Sequence, residues 1–328
     1  VNQNTKYAGI EHLVWEYSKE LSANGHKVSV MGHAESKFPT GVLLLSTKTT
    51  NDYFDDEVYN YQTYMPLIKS YDVIHDFSHM HLPAVLSSDL PSLNIFWHSP
   101  CYAQYKKAPY NIVALSVWAE NEYYKYYGQK ALYQQTIGID TSIYHPEGDR
   151  TDRWLSIGRM SEEKGNLNAI KLCLELGLNL DVCGGRGAGN NNPLSEYEKE
   201  IMRLCDGKQI VFKGEVSDDD KIKIMRSCRG LIYCTEHLEV TNHKLQEAML
   251  CGAPVIAPNT GGQPEIVTHG INGYLCDTWD SYKEAIKNVD KLNPESALSN
   301  LVERYDIKNV VKNYVPLYEK VANGLRWK

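Results

Sequence analysis

Short apolar runs alternate with helical periodicities along this chain. The fullest example lies between Gly230 and Ala257, GLIYCTEHLEVTNHKLQEAMLCGAPVIA. Its opening run, Gly230 to Cys234, predicts a buried strand. A polar loop carrying Glu239 follows, then the cap residues Thr241 and Asn242 and a helical pattern from His243 to Cys251 that includes Glu247. Gly252 ends that helix, and Pro254-Val255-Ile256 opens the next strand. Earlier in the chain, Leu13, Val14, Tyr17 and Leu21 predict a helix over 11–24, followed by a strand at 27–31. Further strands are expected at 41–45, 71–74, 93–96 and 111–115, and helices at 58–69, 83–88 and 117–127. After a polar stretch at 147–152 the alternation resumes: strand 154–157, helix 166–176, strand 179–182, and a strand and turn over 210–216. Amphipathic helices are expected at 281–292 and 307–322.

This order predicts an α/β protein with parallel sheets covered by helices on both faces. At 328 residues the chain exceeds one typical domain. The expected division is a Rossmann-like domain over 1–148, a second over 149–305, and a last helix, 306–328, running back onto the first. A Rossmann-like domain usually opens with a strand before its first glycine turn. None precedes Ala8-Gly9, so that strand is missing from this sequence or Val1 is not the true start.

Composition narrows the function. A net charge of -7 argues against nucleic-acid binding by phosphate neutralisation. No apolar run approaches the roughly 20 residues of a membrane span, and no signal-peptide pattern opens the chain. The eight cysteines are scattered and form no CxxC pair, which suits a reducing cytoplasm. Lysine and tyrosine mix at 104–107 and 123–127. Such stretches suit first a solvated helix face over packed tyrosines, and second the inner face of a membrane.

The candidate chemistry gathers where open α/β sheets take ligands, outside the carboxyl ends of their strands. The amides that begin the helix at Asn242, His243 and Lys244 favour an anion. Glu239 and Glu247, eight positions apart, offer acceptors for hydroxyls, and a phosphorylated sugar needs both features. Gly158 to Gly165 is a loop at the same edge. It holds Arg159, a planar fork for phosphate oxygens, and Lys164, a point charge. The glycine-rich run from Cys183 through Gly184 to Gly189 lets a ligand approach backbone. In the first half, the Ala8-Gly9 turn can face a phosphate, and His98 ends an apolar strand at the ligand edge, as a ligand contact or a structural histidine. His75, His79 and His81 have a spacing that a metal can use if helical, without the carboxylate that usually accompanies it; otherwise they are solvated or core-edge residues. Asp218-Asp219-Asp220 follows Ser217 as the charged first turn of a capped helix, not as a metal motif.

With these residues in hand, the chain resembles the retaining GT-B glycosyltransferases of family 4. The match is carried by Glu239 to Glu247 with the tail Ala248-Met249-Leu250-Cys251-Gly252-Ala253-Pro254-Val255, and by Gly158-Arg159 to Lys164-Gly165. Phe212-Lys213-Gly214-Glu215-Val216, Ala8-Gly9-Ile10-Glu11 and Ile137-Gly138-Ile139-Asp140 add to it. The resemblance implies two Rossmann-like domains facing across a cleft and transfer of a hexosyl group from a UDP- or GDP-sugar to a glycan, lipid or small-molecule hydroxyl. No cofactor or metal is implied. Arg159 and Lys164 would hold the diphosphate, Glu247 the ribose, Glu239 and His98 the sugar, and Lys213, Gly214 and Glu215 would border the base. The family's Phe-Gly pair after the first glutamate is here Thr241-Asn242, and its next, usually aliphatic, residues are His243-Lys244. A nucleotide-sugar epimerase on the same fold and a non-catalytic nucleotide-sugar-binding protein are the alternative functions.

Overall fold

The computed structural model describes residues 9–47, 53–86, 89–97, 110–186 and 193–327. The chain divides into two compact units, Val1–Ile139 with Tyr305–Lys328, and Asp140–Arg304. The changeover after Ile139 comes ahead of the polar 147–152 stretch at which the sequence reading divides the chain.

In the first unit, α1 (Gly9–Ala23), β1 (Val28–His33), β2 (Val42–Thr47), α2 (Tyr53–Ile68), β3 (Ile74–Asp76), α3 (Leu82–Leu86), β4 (Ser92–Phe96), β5 (Ile112–Ala114), α4 (Val117–Tyr127) and β6 (Leu132–Tyr133) follow in order. β1 and β2 pair in parallel, and β3-β4-β5-β6 form a parallel sheet in that order. Every residue of β4 is buried, as expected of a strand covered on both faces. α4 has its start and stop written in sequence: Ser116 Oγ accepts from Ala119 N at 3.1 Å, and Gly128 closes the helix with φ 65°. Tyr123 of that helix is buried against Phe96, whereas Tyr124 and Tyr126 are exposed.

The second unit comprises β7 (Trp154–Ile157), α5 (Asn166–Leu176), β8 (Leu180–Cys183), α6 (Glu196–Leu204), β9 (Ile210–Gly214), α7 (Asp218–Ser227), β10 (Leu231–Ile232), α8 (His243–Leu250), β11 (Val255–Pro258), β12 (Gly273–Cys276), α9 (Trp279–Lys287) and α10 (Leu298–Tyr305), whose last residue falls in the first unit. Its six strands are all parallel, in the order β12-β11-β10-β7-β8-β9. The order reverses beside β7, so the loops after β7 and β10 form a topological switch point, where such sheets hold ligands. Ile170, Leu172, Leu180, Val182, Ile232 and Ile256 lie in the core beneath it.

Helix α11 (Ile307–Ala322) belongs to the first unit and packs against α1 and β4. Tyr17 Oη donates to the Thr136 carbonyl at 2.8 Å, and Thr136 Oγ1 meets Tyr314 Oη at 2.5 Å. Among the described residues no helix is long and apolar enough to cross a membrane.

Candidate active site

Strand β7 leads through Gly158 and Arg159 into a short 3-10 turn, Glu162–Lys164, before α5 begins. Asn166, fully buried at the head of α5, fixes this loop. Its Oδ1 accepts from Ser156 Oγ at 2.9 Å, and its Nδ2 donates to the carbonyls of Arg159 at 2.8 Å and Gly158 at 3.2 Å. Two glycines let neighbouring loops close on it. Gly165 has φ 67°, and a Cβ there would lie 2.2 Å from the Cys234 carbonyl oxygen beyond β10. Gly184 has φ 148°, and its Cβ would lie 1.8 Å from the Gly158 carbonyl oxygen. Thr235 adds a clamp, its hydroxyl donating to the Glu163 carbonyl.

Where the β7 and β10 loops meet, Lys164 Nζ stands 2.5 Å from Glu239 Oε1, and Asn242 Nδ2 donates to Glu239 Oε2 at 2.9 Å. The lysine and glutamate side chains are only 17% and 10% exposed, so solvent screens the pair weakly. Asn242 also caps α8, its Oδ1 accepting from Lys244 N at 3.1 Å. The Glu239 carbonyl is held by Gly262 N at 2.9 Å.

A second buried pair lies alongside. Lys221 Nζ of α7 is 3.0 Å from Glu247 Oε1 and 3.1 Å from Asp218 Oδ1, over the Tyr144 ring. Burial pulls the Lys221 pKa down, but Glu247, Tyr144 and Asp218 outweigh it and hold the ammonium well above the usual lysine range. Gly158, Lys164 and Lys244 also converge: a Cβ on Gly158 would be 3.1 Å from Lys164 Cβ and 3.7 Å from Lys244 Nζ.

The other expected site residues are more dispersed. Arg159 pairs with Glu163 on the surface. The Glu215 carboxylate lies against Gly185, where a Cβ would meet it at 3.2 Å. Gly214 makes the turn after β9 with φ 70° and accepts from Gly184 N at 2.8 Å. Lys213 is drawn to Asp181 Oδ2 at 3.8 Å, an acid also bound by Arg153 at 2.7 Å, and so does not join the Lys164–Glu239 cluster. His243 is the half-buried first residue of α8. Gly9, in the first unit, is the exposed first residue of α1. His98, Ala8 and the glycine-rich run beyond Arg186 lie outside the described residues.

Asn166, Thr235, Lys221 and Tyr144 are contributors that the sequence reading did not pick out. Lys221 had a faint signal, standing three residues after Asp218 on the capped helix. The histidines at 75 and 81 occupy different surroundings. His75 is enclosed by Tyr17, Phe77, Tyr314 and Tyr318, and burial lowers its pKa to about 3. His81 Nδ1 stands 3.5 Å from Asp76 Oδ2.

Residues 145–307 match the family model described as glycosyl transferases group 1. Among similar proteins is a probable sucrose-phosphate synthase of Thermosipho melanesiensis, 27% identical over 222 residues, which are 62% of this chain and 51% of that protein. Human alpha-1,3/1,6-mannosyltransferase ALG2 is 30% identical over 170 residues, 47% of this chain and 40% of ALG2. The chain thus spans about half the length, or less, of these relatives. Among solved structures, sucrose-phosphate synthase from Thermosynechococcus elongatus superposes with a TM-score of 0.78 at 15% identity, covering 97% of this chain and 94% of that one. Anabaena HepE, solved in complex with UDP-glucose, gives 0.75 at 17% identity, covering 97% and 98%. These likenesses establish the GT-B fold class, with two Rossmann-like units. The stretch that matches the glycosyl transferases group 1 model, residues 145–307, is the one that carries Lys164, Lys221, Glu239, Asn242, Lys244 and Glu247.

Proposed function

We propose that this chain is a retaining glycosyltransferase that moves a hexosyl group from a UDP- or GDP-sugar to a hydroxyl of a glycan, lipid or small molecule. The observation that carries the reading is the Lys164–Glu239–Asn242 constellation, set against Gly158 at the switch point of the second sheet. That HepE was solved with UDP-glucose on the same fold supports a nucleotide-sugar donor.

In this mechanism Lys164 and Arg159 hold the diphosphate and stabilise the charge that develops as the sugar–oxygen bond breaks. Lys164 is held in place by Glu239. Arg159 pairs with Glu163 at the surface, a contact worth about 0–1 kcal/mol, and exchanges that partner for a phosphate in this mechanism. These side-chain cations supply the positive charge that the leaving group needs, so activity survives chelation. Glu247 accepts from the ribose through the oxygen that Lys221 does not take. Glu239 orients the sugar hydroxyls. Both its oxygens already accept hydrogen bonds, from Lys164 and Asn242, which suits an orienting acceptor better than an attacking nucleophile. Retention then follows from attack on the face that the leaving phosphate vacates, with that phosphate taking the acceptor's proton.

The test is turnover of a panel of UDP- and GDP-hexoses with sugar, lipid and small-molecule acceptors, with and without EDTA. NMR should show a product with the donor's anomeric configuration, and Lys164→Met should abolish nucleoside diphosphate release. A sugar adduct on Glu239 trapped by mass spectrometry would refute the mechanism. Failure to bind any nucleoside diphosphate would refute the function.

A further inference from the structure

The pairing is uneven in the cluster, Lys221 taking both Glu247 and Asp218. Glu239 is taken by Lys164 and Glu247 by Lys221. Lys244 stands between these pairs, half-buried on the first turn of α8, and its Nζ makes no ion pair or hydrogen bond among the described residues. A cation removed from water without a counterion is costly, and an incoming anion relieves that cost. The neighbours of Nζ indicate where the anion sits. A Cβ on Gly158, at the end of β7, would come 3.7 Å from Nζ and 3.1 Å from Lys164 Cβ, so the missing side chain leaves the ammonium open beside the Lys164 stem. This is the position assigned above to the donor's diphosphate.

We propose that Lys244 is a third phosphate-binding cation of the donor site, donating directly to the diphosphate and setting its preference for nucleoside diphosphates over nucleosides. The proposal rests on the donor-site reading given above and deepens it. The family pattern has an aliphatic residue at this position, so the contact is a property of this chain.

The surroundings also give Lys244 a pH range. Burial lowers its pKa to about 8; Glu239 and Glu247 oppose the shift, and Lys164 and Lys221 reinforce it. These four groups face it from the β7 loop, the β10 loop, α7 and its own helix. An anion binds the protonated form better. Affinity is therefore full below the free-state pKa and falls as pH rises through it. The terminal phosphate ionises near pH 6, so its own charge stays constant over that interval.

The experiment is calorimetric titration of the full chain with uridine, UDP, guanosine and GDP at pH 7.0 and 9.5, for the wild type, Lys244→Leu and Lys244→Arg. A charge-assisted contact is worth about ten-fold or more in affinity. Wild-type binding of the preferred diphosphate should weaken by about that factor at pH 9.5. Lys244→Leu should show the weakened value at both pH values, and Lys244→Arg should hold its affinity at pH 9.5. Nucleoside binding should be the same in all three. Equal loss of nucleoside and diphosphate affinity in Lys244→Leu would overturn the proposal, as would an unchanged diphosphate affinity or a flat wild-type profile. Failure of the wild type to bind either diphosphate at either pH would instead refute the donor-site reading itself, and the proposal with it.

Discussion

Asn166 offers the sharpest structural test of the site, because its carboxamide uses both ends. Asn166→Ala removes three buried hydrogen bonds, one from Ser156 and two to the carbonyls of Gly158 and Arg159. At a net ~1 kcal/mol each, the loss is ~3 kcal/mol. For a domain of this size that lowers the melting temperature by ~6–12 °C. Asn166→Asp is nearly isosteric and keeps the bond from Ser156, yet it should be the worse variant. It turns an acceptor-only carboxylate toward two carbonyl oxygens, and an uncompensated buried charge costs about 3–5 kcal/mol. The comparison has a pH signature. The introduced carboxyl keeps its proton in the folded state well above its unfolded pKa of about 3.9. Folding then takes up a proton between those two values, so stability falls as pH rises through that interval. The gap between N166D and N166A should be widest at pH 8 and narrow toward pH 4. Thermal melts of both variants across that range decide the matter, with nucleoside diphosphate affinity read alongside, since a freed Gly158–Arg159 loop should weaken it. If N166D is as stable as N166A at pH 8, the carboxamide does not donate to those carbonyls, and this account of the loop is wrong.

Gly165→Ala should destabilise the second unit by more than ~1 kcal/mol, because the added methyl meets the Cys234 carbonyl at a backbone angle that disfavours side chains; denaturant titration checks this. Lys221→Met should cost ~3 kcal/mol by stranding Glu247 and Asp218 in a half-buried site, whereas Lys223→Met, a surface pair on the same helix, should cost under ~1 kcal/mol. His75 should contribute to acid unfolding. Its folded pKa of about 3 lies below an unfolded value near 6.5, so the unfolded chain binds the extra proton and stability falls as pH drops below about 6.5. His75→Gln should flatten that fall by up to ~1.4 kcal/mol per pH unit, measured by urea melts between pH 6.5 and 4.5.

The parts of this architecture that follow a local rule were readable from residues alone. β4, α4, α5, α8 and α11 each have an unbroken apolar run or a capped helical period, and the structure places all of them close to the expected bounds. Helix α9 stops at Lys287, short of the expected 292, because the chain tightens through Asn288 into a 3-10 turn. α6 escaped notice because its face is charged. Its evidence was the capping box of Ser195 and Glu198, with Arg186 reaching in from the glycine-rich loop. In the site, residue types and spacing placed Lys164, Glu239, Asn242 and Lys244 on one edge, since parallel strands deliver their following loops to the same side. The pairing could not be read that way. Whether Lys213 faces the edge or Asp181 depends on the neighbouring strand, and whether Lys221 reaches Glu247 depends on how α7 lies against α8. Both are contacts between segments distant in sequence, invisible to any local period. They also explain why Lys244 matters. Only when Glu239 is seen paired with Lys164, and Glu247 and Asp218 with Lys221, does the remaining ammonium become a charge in search of a ligand.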